Sequence, residues 1–168
     1  MMARPVALAS AALLVGMLSA PALAQAPAPA QAPTRPSYGP TITLEAAKKA
    51  GAGAMAEARK NNWAVAVAVV DNHWMLIYYE MMDDTQTAAA TIAVEKARTA
   101  AMFRRPGKDF QDRVAAGDHA VLGLPGATPI DGGVPILVGG KVIGGVGVSG
   151  MAGAQDGVVA KAGADALK

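Results

Sequence analysis

The chain has 168 residues, a formal net charge of +2 and no cysteine. The near-neutral charge balance argues against a nucleic-acid partner. The absence of cysteine excludes disulfides, thiolate metal sites and cysteine nucleophiles.

The first 24 residues have the pattern of a secretory signal. Arg4 supplies a positive amino-terminal region, and the apolar stretch 6–18 is too short to span a bilayer. Ala22 and Ala24 form an A-x-A cleavage motif, so the mature chain is predicted to start at Gln25. We therefore expect a periplasmic or secreted protein with no stable membrane insertion after signal cleavage.

Residues 25–40 consist largely of Ala, Pro and Gln, and such a segment cannot bury a core. The composition predicts a flexible linker there. The remaining residues, 41–168, have the length of one ordinary domain.

The domain begins with a predicted helix. Thr43 is suited to the N-cap position, and apolar residues recur at helical spacing from Leu44 to Ala58. The helix is expected to end near Asn61 and Asn62. The apolar runs 63–70 and 74–79 then predict a β-hairpin, with Asp71 beside its turn.

A second helix is predicted over 88–103, because Pro106 stops it, and a short third helix over 108–116. A small strand is predicted around 121–124. Residues 134–138 and 142–148 predict a second hairpin with a turn at Gly139 and Gly140, and a last helix follows over 154–167. The element order α-β-β-α-(α)-(β)-β-β-α indicates an α+β domain with helices packed on an antiparallel sheet.

A literal G-x-G-x-x-G occurs at Gly145, Gly147 and Gly150. A dinucleotide-binding fingerprint follows the first strand of a domain and needs further strands after it. The short segment after Gly150 has room for one helix only. The glycines instead indicate a strand with a bulge, or a strand that a ligand or another backbone approaches closely.

Lys96 lies on the apolar stripe of the second predicted helix. Such a lysine either extends to the edge of the core, makes a structural ion pair, or projects into a pocket where it meets an anionic ligand. Thr99, on the same stripe, either bonds back to its own helix or joins Lys96 in holding a ligand.

His73 and His119 are the histidines of the chain, and each is expected in an exposed turn or loop. A neutral imidazole at either position can coordinate iron in an open site. Their separation does not fit a paired-histidine zinc motif. Asp71 is favoured by turn chemistry alone, and the methionine cluster Met75, Met81 and Met82 is typical of core packing.

Together these segments resemble the GlcG/HbpS family, which also includes the C-terminal domain of PduO-type cobalamin adenosyltransferases. The resemblance covers the whole of 41–168 and implies a profilin-like α+β fold, a homo-oligomer, and haem binding in some members. It is carried by Val69-Val70-Asp71, Met82-Asp83, Lys96–Ala100 with Phe103 and Pro106, Leu124-Pro125-Gly126, Gly132–Ile136, Ile143–Gly150 and Gln155-Asp156.

The sequence departs from the family pattern in two places. Family members often carry Gly-Gly after the position of Asp71, where this chain has Asn72, His73 and Trp74. An acidic residue often follows the Gln-Asp pair, where this chain has Gly157. The first departure suggests an addition that faces haem.

The resemblance and the export signal lead to the hypothesis of an exported haem-binding protein that sequesters, senses or transports haem. Lys96 with Arg98, Arg104 or Arg105 would pair with the propionates, and His73 or His119 would be the axial ligand. Methionine, Phe103 and the glycine surfaces at Gly147 and Gly150 would flank the macrocycle.

Two alternatives remain open from the sequence. In one, Lys96 and Thr99 hold a small organic acid near the 147–150 segment without haem. In the other, the protein is an oligomeric scaffold with no ligand of its own. No residue is assigned a catalytic role.

Overall fold

The computed structural model describes residues 34–168. It contains four α-helices, four strands and one 3-10 helix within that range. The helices are α1 (Leu44–Lys60), α2 (Ala89–Phe103), α3 (Gly107–Ala115) and α4 (Gly153–Asp165), and the 3-10 helix is His119–Gly123. The strands are β1 (Ala66–Asp71), β2 (Leu76–Met81), β3 (Gly133–Val138) and β4 (Lys141–Ser149).

The strands form one antiparallel sheet in the order β2-β1-β4-β3. Both predicted hairpins are present, β1–β2 and β3–β4, and β1 pairs with β4 to join them. Gly139 and Gly140 both have positive φ, as a two-residue hairpin turn requires. The predicted α+β class is confirmed.

Helices cover both faces of the sheet. Val65, Val67 and Val69 pack with α1 and α4 in one apolar cluster. The alternate residues Ala66 and Ala68 pack with α2 in a second cluster. Because successive side chains of a strand point to opposite faces, β1 is buried on both sides and its sequence is a continuous apolar run.

The glycines of β4 let α2 approach the sheet closely. A Cβ atom at Gly147 would lie 2.0 Å from the carbonyl oxygen of Ala93, and one at Gly145 would lie 2.5 Å from that of Ala97. The G-x-G-x-x-G therefore belongs to a strand covered by a helix backbone. Of the interpretations left open by the sequence, close approach of another backbone is the one observed.

Two local expectations are corrected. The segment 121–124 lies largely within the 3-10 helix and not in a strand. Val121 alone is buried there and Leu122 faces solvent, so the segment has no apolar face of the kind that a strand buries. The end of the predicted linker also lies on the domain: Gly39 N donates to Val142 O, and Val142 N donates to Ser37 O. The signal segment 1–24 lies outside the described residues. Within 34–168, no helix has the length and apolar character needed to cross a membrane.

Candidate functional site

Lys96 forms a buried ion pair that joins helices on opposite faces of the sheet. Its Nζ atom lies 2.8 Å from Oδ2 of Asp156, and both side chains are 2% exposed. The same ammonium donates to the carbonyl oxygen of Val148, 3.0 Å away. Oδ1 of Asp156 accepts a hydrogen bond from the backbone N–H of Met151. Lys96 therefore makes the structural pair that the sequence left open as one of its alternatives.

Two glycines at the start of β3 make room for this pair. A Cβ atom at Gly132 would lie 2.7 Å from Lys96 Nζ and 2.8 Å from Asp156 Cβ. A Cβ atom at Gly133 would lie 2.3 Å from the carbonyl oxygen of Lys96. Gly132 also has φ +114, a conformation that favours glycine. Three of the segments that carry the family resemblance, those around Lys96, Gly132 and Asp156, thus meet at one structural point.

Burial raises the pKa of the Asp156 carboxyl, and the hydrogen bond and charge of Lys96 lower it. The nearby carboxylate of Asp131 adds to the rise. The net direction is upward, because removing this carboxylate from water outweighs the attraction of a single ammonium.

Thr99 holds a loop against α2. Its hydroxyl donates toward the carbonyl oxygens of Glu95 and Gly126 and accepts a hydrogen bond from the backbone N–H of Thr128, 2.8 Å away. The back-bond to Glu95 is the helix-interior role that the sequence predicted as one alternative. Lys96 and Thr99 both bond to groups inside the protein. Neither lines the nearest cavity that a ligand could enter.

The β1–β2 turn has an unusual conformation. Oδ1 of Asp71 accepts hydrogen bonds from the backbone N–H groups of His73 and Met75, which confirms its turn role. Trp74 has φ +69, a left-handed conformation that is rare for a bulky side chain. This is the part of the chain where family members often carry glycine. The backbone of Trp74 is therefore strained, at a position where glycine would adopt the same conformation without strain.

The turn borders a cavity of about 520 Å³ on the α2 face of the sheet. Residues from three segments line it: the turn, the middle of α2, and the loop that Thr99 holds. They are His73, Trp74, Met75, Glu95, Arg98, Met102, Pro125 and Gly126. We call this the His73 cavity.

The side chains of the His73 cavity combine one imidazole with apolar and sulfur groups. The His73 side chain is 74% exposed, and its Nδ1 lies 4.0 Å from Oδ2 of Asp71. Arg98 is half-buried, donates from Nε to the carbonyl oxygen of Trp74 and pairs with Glu95 at 2.7 Å. An accessible imidazole beside an aromatic ring, thioethers and a guanidinium suits a flat, apolar group with an acidic edge.

The other residues predicted for the site do not line this cavity. His119 lies on the 3-10 helix and is exposed. Phe103 packs edge to face with Phe110, with ring centroids 5.0 Å apart. Gly147 lies under α2, and a Cβ atom at Gly150 would lie 2.2 Å from the carbonyl oxygen of Ala64. Residues 34–168 contain no cluster of three or more His, Asp or Glu side chains suited to a metal ion.

The sequence indicated Trp74, with His73, as part of an addition that faces haem, but it did not assign Met75 or Met102 individually to the site. Met75 was expected in the core, but it is one of the exposed apolar residues. The signal for this part of the site was the presence of His73 and Trp74 where family members often carry Gly-Gly. Large side chains at the tip of a turn cannot pack into the core, so they remain available to a ligand.

A four-stranded antiparallel sheet with helices on both faces and a cavity beside its first hairpin defines an α+β sandwich domain. The chain belongs to the HbpS-like family: residues 42–165 match the family described as "Haem degrading protein HbpS-like".

Among its relatives, Protein GlcG of Escherichia coli K12 is 48% identical over 93 residues, which span 55% of this chain and 69% of that protein. The structure is similar to that of a double mutant of HbpS from Streptomyces reticuli, with a TM-score of 0.71 and 32% identity over 84% of this chain and 99% of that one. The structure of a PduOC:heme complex matches with a TM-score of 0.68 over 76% of this chain and 96% of that one. At 23% identity this last likeness shows the fold alone.

Proposed function

We propose that this protein binds haem in the His73 cavity, where the His73 imidazole would ligate the iron. The observation that carries the proposal is an exposed imidazole at the rim of a cavity of about 520 Å³ lined by apolar and sulfur groups. The family description as haem degrading supports it. PduOC, which has the same fold, has been crystallised with heme.

Different residues of the cavity would contact different parts of haem. Trp74 and Met102 offer apolar surface for the macrocycle, and Arg98 can pair with a propionate. Asp71 fixes the backbone of the turn, so that His73 stands at the rim. When bound, haem supplies an iron atom that accepts an imidazole nitrogen.

A haemin titration followed by absorbance at the Soret band tests the proposal. The chain offers a matched control, since its two histidines occupy different surfaces. We expect the wild type and His119→Ala to bind at micromolar haemin, and His73→Ala to bind at least tenfold more weakly. Absence of a Soret shift in the wild type would refute haem binding. Loss in His119→Ala with retention in His73→Ala would refute the choice of ligand.

We also propose that the protein is exported and acts on haem outside the cytoplasm. The support is the signal pattern of residues 1–24. Expression of the full chain in a Gram-negative host, followed by fractionation and mass measurement, tests it. The expected product is periplasmic and starts at Gln25. A cytoplasmic product of full length would contradict the proposal.

A further inference from the structure

A second cavity of about 650 Å³ runs along the free edge of the sheet. Its apolar wall comes from β3 and α4, including Val134, Leu137 and Val158. Arg104 and Arg105, from the turn between α2 and α3, also line it. We call this the Arg105 cavity. None of its lining residues lines the His73 cavity, so Arg104 and Arg105, which the sequence offered as partners of the haem propionates, lie outside the proposed haem site.

Cationic side chains dominate the polar part of the Arg105 cavity. Arg104, Arg105, Lys108, Lys161 and Lys168 line it, against the carboxylates of Asp131 and Asp165. The lysines have acidic partners of their own: Lys108 pairs with Asp112, and the two carboxy-terminal lysines pair with Asp165. Arg104 stacks over the Tyr38 ring and donates to the carbonyl oxygen of Pro36.

Arg105 differs from these neighbours. Within residues 34–168, no carboxylate lies within ion-pair distance of it, and its Nε is shielded from solvent without a hydrogen-bond acceptor. The guanidinium lies 3.8 Å from the centre of the buried Phe110 ring. Burial lowers the pKa of Arg105, and the charges of Arg35 and Arg113 lower it further, while Asp109 opposes them. A half-buried cation beside like charges is stabilised by an added anion.

We propose that the Arg105 cavity binds a monocarboxylate with an apolar body, such as a medium-chain fatty acid or an aromatic acid. The carboxylate would accept hydrogen bonds from the Arg105 guanidinium, whose planar fork matches its two oxygens. The apolar body would lie against Val134, Leu137 and Val158. The volume is within the usual range for a small-molecule site and exceeds what an inorganic anion needs.

This binding does not depend on haem and adds a second ligand to the proposed function. It also differs from an acid site at Lys96 and Thr99, whose polar groups are already paired. The apolar wall distinguishes a carboxylic acid with a hydrocarbon body from free phosphate, since phosphate gains nothing from Val134 or Leu137.

Calorimetric titration of the full chain with octanoate tests the proposal, with octanol and inorganic phosphate as comparison probes. We expect saturable octanoate binding, and binding of both other probes at least tenfold weaker. Arg105→Met removes the charge together with the guanidinium that stacks on Phe110, and keeps an unbranched apolar side chain at this position. It is expected to weaken octanoate binding about tenfold or more. Arg59→Met, the same change on the exposed side of α1, serves as the matched control and should bind as the wild type does.

Val158→Asp gives an independent test, because Val158 is half exposed and its replacement leaves the core intact. A carboxylate in the apolar wall should reduce octanoate binding, whereas haemin binding should stay unchanged in both cavity variants. Equal affinity for phosphate and octanoate would overturn the proposal, as would unchanged octanoate binding in Arg105→Met. Loss of haemin binding in Arg105→Met would assign this cavity to haem and overturn both site assignments, whereas a failure of haemin to bind at all would leave the octanoate result standing.

Discussion

Replacing Lys96 by methionine separates a structural lysine from a ligand-binding one. The substitution leaves the Asp156 carboxylate buried, with only the backbone N–H of Met151 as a donor, and leaves the carbonyl oxygen of Val148 without its ammonium partner. Removing one member of a buried pair typically costs about 3–5 kcal/mol of unfolding free energy. For a chain of this length each kcal/mol corresponds to roughly 2–4 °C, so the melting temperature should fall by roughly 6–20 °C.

The pH dependence of this variant has a definite sign. Burial already raises the folded-state pKa of Asp156, and removing Lys96 raises it further, because the main lowering influences are gone. A carboxyl whose pKa is higher in the folded state binds protons more readily there. Its contribution to stability is therefore present below the unfolded pKa and is lost as pH rises through the folded pKa. Lys96→Met should thus recover part of its lost stability on going from pH 7 to pH 5.

Chemical denaturation at both pH values measures this effect. Lys108→Met, which removes an exposed lysine paired with Asp112, is the matched control and should change stability little. The double variant Lys96→Met/Asp156→Asn should recover more than half of the loss, since no buried charge remains. A loss below about 1 kcal/mol at pH 7, where a buried pair should cost several times more, would refute the structural role of the pair.

Three further substitutions, one of them with a control, test the β1–β2 turn, the contact of α2 with β4 and the loop that Thr99 holds. Trp74→Gly should raise the unfolding free energy by about 1 kcal/mol, because glycine adopts positive φ without strain, yet it should weaken haemin binding; a gain in affinity would contradict the role of the indole. Gly147→Ala should destabilise by about 1–3 kcal/mol through contact with Ala93, while Gly123→Ala, where a Cβ meets open space, should change thermal melting little. Thr99→Val leaves the backbone N–H of Thr128 unpaired and should lower the unfolding free energy, measured with denaturant, by about 1–3 kcal/mol. Full stability and full haemin affinity in this variant would show that the loop does not need the Thr99 hydroxyl.

The sequence predicts the elements well because their patterns are local. The continuous apolar run of β1, the N-cap at Thr43 and the glycine pair in the β3–β4 turn are each determined by neighbouring residues. Thr43 Oγ1 accepts the expected hydrogen bond from the N–H of Ala46. The segment around 121–124 is the exception, because an apolar run this short does not distinguish a strand from a helical turn.

The site is less predictable because it depends on distant contacts. The side chain of Lys96 occupies the same helix stripe whether it meets Asp156 or a ligand, and only the position of α4 decides between them. The His73 cavity likewise needs the loop at Gly126, which Thr99 brings to α2 from far along the chain. Helical spacing and short motifs describe neighbouring residues, so they do not predict contacts between residues that lie far apart in the sequence.

The ion pair between Lys96 and Asp156 also has a consequence for how the domain opens. It connects the middle of α2 with the first turn of α4, although the sheet lies between these helices. If either helix leaves the sheet, the ion pair breaks, and Lys96 or Asp156 remains as a charge without its partner. Hydrogen-exchange protection should therefore rise and fall together in these two segments, as one cooperative unit that ends at the start of β3. The β1–β2 turn is bonded to this unit through Arg98 of α2, whose Nε donates to the carbonyl oxygen of Trp74, so the rim of the His73 cavity should open together with α2.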